Sequence, residues 1–156
     1  MLSQDLCTLF QRDLQRLAQQ IAAFPDEASL WQVAAGISNS AGNLCLHLVG
    51  NLNTYIGAVL GHSGYVRNRN AEFTTQHVPQ AVLVQQVKDT TNVVERTLTA
   101  LTEAQLQTAY PDEVLGDPMT TQAFLIHLYG HLTYHLGQID YHRRLLTQGQ
   151  ALQFVN

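Results

Sequence analysis

Apolar residues recur at three- and four-residue intervals along most of the chain, the spacing that gathers them on one side of an α-helix. Leu6, Leu9, Phe10, Leu17, Ile21 and Phe24 describe an amphipathic helix from about Ser3 to Ala23, ended by Pro25. Its opposite side carries Arg12, Asp13 and Arg16. A second helix starts at the N-capping run Ser38-Asn39-Ser40 and stops at Gly61. Pro79 suits the first turn of a third, whose stripe is Val84, Val87, Val94, Leu98 and Leu101. Thr120 or Thr121 caps a fourth, which runs to about Thr147 before Gly149.

The polar stretches HSGYVRNRNAEFTTQH and TEAQLQTAYPDEVLGDP read as long connections between helices two and three and between helices three and four. No strand pattern competes with the helical one. Four helices without a sheet predict an all-α, four-helix bundle, and 156 residues suit a single domain spanning 1–156.

Charge refines this picture. Only 13% of residues are charged, against roughly a quarter in typical soluble domains, so much of the surface is uncharged. That favours self-association, and a homodimer is the expected assembly. The net charge of -4 and scattered Lys and Arg argue against nucleic acid as a partner. A membrane span is not expected, because Asn43, His47, Asn51 and Asn53 would lie in hydrocarbon. Two cysteines, Cys7 and Cys45, are too few for a disulfide framework and read as packing residues; with no export signal at the start, a cytoplasmic location is expected.

Two helices have long stretches without charge. No Asp, Glu, Lys or Arg occurs from Ala28 through Val66 or from Pro118 through Ile139, yet the helices inside these windows carry histidines. On helix two, Cys45, Val49, Leu52, Ile56 and Val59 form an apolar side. His47 lies opposite with Ser40, Asn43, Gly50, Asn51, Thr54 and Ala58, a set of small and amide side chains suited to an open polar cleft. On helix four, Phe124, Leu128, His131, His135, Ile139 and His142 share a narrow sector.

Residues four apart on a helix are about 6 Å apart along its axis, so His131 and His135 can close on one ion. His127 with His131 has the same spacing, and spacing alone leaves both pairs open. The motif is HLTYH, with Leu132 where a zinc protease has its glutamate, and no Glu-x-x-His pair of a di-iron bundle is present. A third ligand then has to come from another helix, and His47 is the candidate. His62, His77 and His142 have no partner at ligand spacing.

SAGNLCLHLVGNLNTYIGAVLG with RNRNAEF, and then YGHLTYHLGQIDYHRRLL, resemble the DinB/YfiT-like superfamily of metal-binding four-helix bundles. The resemblance implies a three-histidine site for a divalent ion, usually zinc or nickel, formed by His47, His131 and His135. It also implies activities such as thiol-dependent S-transfer or isomerisation of small molecules. Related sequences often have Glu before the first helix-four histidine; this chain has Gly130.

Three neutral ligands leave a coordination position open, as in catalytic metal sites. The leading expectation is a metal-dependent transferase that activates a low-molecular-weight thiol toward an electrophile. A non-catalytic metal-binding or stress-related module and a metal-dependent hydrolase are the alternatives. Substrate-binding candidates are Asn51, one turn from His47; Gln138, one turn beyond His135; and Arg67 and Arg69, which offer positive charge unless Glu72 pairs with one of them.

Overall fold

The computed structural model describes residues 1–154 and is all-helical, with no β-strand among those residues. Its elements are α1 (Leu2–Ala22), α2 (Glu27–Trp31), α3 (Ala41–Leu52), a π-helical continuation of α3 (Asn53–Leu60), α4 (Arg69–Thr74), α5 (Gln80–Ala100), α6 (Glu103–Gln107) and α7 (Thr121–Thr147). Of the long helices, α3 and α7 start where a side chain satisfies a free N–H group: Ser40 accepts from Asn43 N–H and Thr120 from Ala123 N–H. α7 ends at Thr147 as expected, and the left-handed residue that closes it is Gln148 (φ 52°).

Both α1 and α3 pack against α5 and α7, and the side chains that meet there are fully buried: Phe10, Leu14 and Leu17 from α1, Leu48 and Leu52 from α3, Val87 and Val94 from α5, Leu125 and Leu132 from α7. Gln80 ties two helix ends together, donating from its side chain to the carbonyls of Ile21 and Phe24. The connections predicted as loops contain short helices. Asp26, Asn68 and Thr102 cap α2, α4 and α6, and Thr102 with Gln105 forms a capping box. The chain after α6 is closed by Tyr110 N–H to Met119 O and Thr121 N–H to Thr108 O.

Asp13, expected on the outward side of α1, is buried. It accepts from Arg12, from Arg16 at 3.2 Å and from the Tyr129 hydroxyl at 2.7 Å, so α1 and α7 are joined by a polar contact inside an apolar interface. No described helix is long and apolar enough to cross a membrane.

The absence of charge on α3 also has a different cause from the one expected. The side bearing His47 does not open onto a cleft, because the 67–75 segment covers it. Asn43 donates to the carbonyls of Glu72 and Thr75 while its own Oδ1 accepts from Ser40, which fixes α4 across α3. Ten of the twelve residues of α3 are buried, so nearly every side of this helix faces protein.

Candidate metal centre

α3 carries His47 inward at mid-length, and α7 brings His131 and His135 to meet it on successive turns. The Nε2 atoms of His47 and His131 are 3.1 Å apart, and those of His135 and His131 are also 3.1 Å apart. One ligand atom from each of the three residues lies within 4.8 Å of the others. Two nitrogens each about 2.1 Å from an ion are separated by roughly 3.0–3.4 Å at angles of 90–109°, so the observed spacing suits ligands of one cation. His127, the alternative partner for His131, is exposed and stacks on Phe124 with a ring separation of 5.9 Å.

Each outer histidine is oriented through its far nitrogen. His47 Nδ1 is 2.9 Å from Glu72 Oε2, and His135 Nδ1 is 2.7 Å from Gln138 Oε1. A carboxylate only accepts, and Gln138 presents its carbonyl, so both imidazoles carry their proton on Nδ1 and turn a bare Nε2 toward the centre. His131 Nδ1 is buried without a partner. The protons cannot be balanced among the three rings alone. Placed on Nδ1, the His131 proton is an unsatisfied donor and three lone pairs converge; placed on Nε2, it serves only one of two waiting lone pairs. A divalent cation satisfies all three lone pairs together, and on this ground the residues fit a metal.

Burial and neighbouring imidazoles, His135 foremost, push the pKa of His131 down to about 4. Burial also lowers that of His47, opposed in part by Glu72, and that of His135, opposed in part by Gln138. All three rings are therefore neutral near pH 7, the form in which imidazole ligates a metal.

Glu72 is the site residue that sequence reasoning left without this role, naming it only as a possible partner of Arg67 or Arg69. It is buried beside Gly50, where any Cβ would overlap its carboxylate. Arg67 holds it with two hydrogen bonds, Nε to Oε1 at 2.7 Å and Nη2 to Oε2 at 2.9 Å. Arg67 is thus engaged with Glu72, and its guanidinium also lies over the Tyr55 ring. Exposed Arg69 lies over Phe73. Asn51 is buried one turn after His47, with no partner for its Oδ1. Gln138, exposed, is spent on His135.

Of the remaining candidates, His62 and His77 sit outside the centre at positive φ. His142 is buried and accepts from Ala34 N–H through Nε2 at 3.3 Å. Cys45 is fully buried, which raises its thiol pKa to about 12, and burial also raises that of Cys7. Neither supplies a thiolate near neutral pH.

No functionally curated protein matches the chain. Among solved structures it is similar to one described as the crystal structure of the conserved protein of locus from Enterococcus faecalis, with a TM-score of 0.78, 18% identity, and coverage of 94% of this chain and 98% of that one. At that identity the likeness shows a shared fold. A family model described as "Protein of unknown function (DUF1572)" matches residues 4–154, and the chain belongs to that family.

Proposed function

We propose that the protein is a divalent-metal enzyme of the DinB-like type, a four-helix bundle built on α1, α3, α5 and α7, whose open three-histidine centre activates a small thiol toward an electrophile. The observation that carries the metal reading is the convergence of three histidine Nε2 atoms, two of them aimed by Glu72 and Gln138. Zinc or nickel suits an all-imidazole set, and three protein ligands leave room for an exogenous one. A bound divalent cation lowers the pKa of a coordinated thiol or water, so that the nucleophilic anion exists near neutral pH.

The chain's own residues supply orientation. Glu72 keeps the His47 proton on Nδ1, Arg67 neutralises that buried carboxylate, and Gln138 keeps His135 turned inward. The carboxylate beside the triad is committed to Arg67 and His47, and both thiols are buried. Neither this carboxylate nor a cysteine is then the nucleophile, which favours an added thiol over attack by these groups.

The test is the visible spectrum of cobalt-substituted protein titrated with a small thiol. A new sulfur-to-cobalt charge-transfer band supports the reading, and an unchanged spectrum at saturating thiol contradicts the thiol step. Self-association is part of the same proposal. Since α3 is covered within the chain, a second copy is expected to cover α7 near its start, where Ile126 is exposed. Light scattering is expected to give about twice 17.3 kDa, and a mass of one chain at micromolar concentration opposes the dimer.

A further inference from the structure

Two hollows flank the centre, on opposite sides of α3. One, of about 430 Å³, lies against the back of Glu72, includes Asp89, and touches none of the three ligand histidines. The other, of about 590 Å³, lies between the 36–39 loop and α7, and its wall includes His135 and Gln138. Only the second reaches the metal ligands, and its volume falls in the range of small-molecule sites, roughly 300–1,000 Å³.

The second hollow is uncharged, with Ser38, Asn39, Gln138 and two histidines among apolar walls. No Asp, Glu, Lys or Arg lines it. Its apolar walls are Ile37, Leu44, Tyr134, Tyr141 and Leu145, and four of these are large side chains left open: Ile37 44%, Tyr134 64%, Tyr141 74% and Leu145 66%. Four such groups around one concavity, next to a polar centre, mark a binding surface rather than scattered exposure. His142 contributes no charge, because its Nε2 accepts a hydrogen bond and the ring is neutral. The charged groups nearby on α7 are tied to one another, Asp140 pairing with Arg143 and Arg144. An ionised substrate body would meet no counter-charge here, whereas an aromatic or aliphatic one gains contact with rings and methyls.

We propose that the hollow between the 36–39 loop and α7 binds the uncharged, arene-sized body of the substrate and delivers its reactive end to the His135 side of the centre. The proposal rests on the metal reading for that delivery, while the hollow itself stands on its lining.

The experiment therefore has two arms. In the first, benzyl alcohol, a neutral arene, is titrated into the metal-free protein while the methyl NMR signals of Ile37, Leu44 and Leu145 are followed. Saturable shifts are expected there and not at Val82, an exposed methyl on α5. In the second, cobalt-loaded protein is titrated with imidazole and with 4-phenylimidazole. The phenyl group is expected to tighten binding tenfold or more, and Tyr141→Ala and Leu145→Asp, both at solvent-exposed positions, are expected to cut that gain to threefold or less. Methyl shifts without any cobalt spectral response to imidazole would overturn the delivery to a metal while leaving the hollow. Equal affinity for the two imidazoles, with no methyl shifts, would overturn the hollow while leaving the metal.

Discussion

Shortening Glu72 separates a metal centre from a cluster of packed histidines. Glu72 Oε2 accepts from His47 Nδ1 at 2.9 Å and from Arg67 Nη2 at 2.9 Å, and Oε1 accepts from Arg67 Nε at 2.7 Å. In Glu72→Gln the amide nitrogen has two places to go. At the Oε2 position it faces donors from both His47 and Arg67; at the Oε1 position it faces Arg67 alone. The second is less costly and leaves a neutral carbonyl to hold His47, so metal affinity is expected to fall about tenfold, near 1.4 kcal/mol. Glu72→Ala removes the acceptor altogether. The His47 ring then loses its tautomer preference and its fixed orientation, and the expected loss is about a hundredfold, near 2.7 kcal/mol. The alanine variant also strands the half-buried Arg67 charge, at a stability cost of about 3–5 kcal/mol. Affinity is to be measured by competition with a chromophoric chelator, at a temperature where circular dichroism shows each variant folded. A folded Glu72→Ala protein that binds within twofold of the native affinity would refute the positioning role.

The remaining predictions concern the surroundings of the centre and the core. Gly50→Ala places a Cβ against the Glu72 carboxylate and is expected to weaken metal binding about as much as Glu72→Gln, with a stability loss of about 1–3 kcal/mol, checked by the same titration and by urea unfolding. Gly137→Ala, mid-α7 with open space where the Cβ goes, is expected to raise stability by about 0.5–1 kcal/mol and leave metal affinity alone. For Asp13, burial works against ionisation, but hydrogen bonds from Arg12 and Tyr129 and the charges of Arg12 and Arg16 outweigh it and hold the carboxyl below its ordinary value. A depressed folded-state pKa gives stability that is complete above the unfolded value of about 3.9 and is lost as pH falls through the folded one. Native protein should therefore lose more stability than Asp13→Asn between pH 7 and pH 3 in urea titrations. Parallel losses would contradict this.

Residues that act through their own helix were legible in the sequence; residues that act across the fold were not. The Ser40 and Thr120 caps and the start of α5 at Pro79 follow from local geometry, whereas local spacing leaves the His127–His131 and His131–His135 pairs open and the structure brings the second pair to His47. Asp26, Asn68 and the Thr102–Gln105 capping box were equally local signals, and they mark three short helices, of which α4 and α6 lie in stretches whose polar composition reads as loop. Glu72 is different. It lies 25 residues from His47, on a segment with no periodic stripe, and becomes a partner only because Asn43 fixes α4 across α3 at Gly50. Asp13 is the converse: at about 100° per residue it falls between Leu9 and Leu6 on the wheel of α1, inside the apolar stripe, so its burial follows from local spacing and its partner Tyr129 comes from α7. The π-helical stretch Asn53–Leu60 is too short for its wider period to stand out from a 3.6-residue pattern.

Metal content tests the central claim most directly. Protein purified without added metal, or loaded with zinc and then desalted, is to be assayed by elemental analysis beside the His47→Ala, His131→Ala double variant, with folding checked by circular dichroism. About one divalent ion per native chain is expected, and none retained by the variant. Full occupancy in the folded double variant, or a native protein that holds no ion after loading, would contradict it.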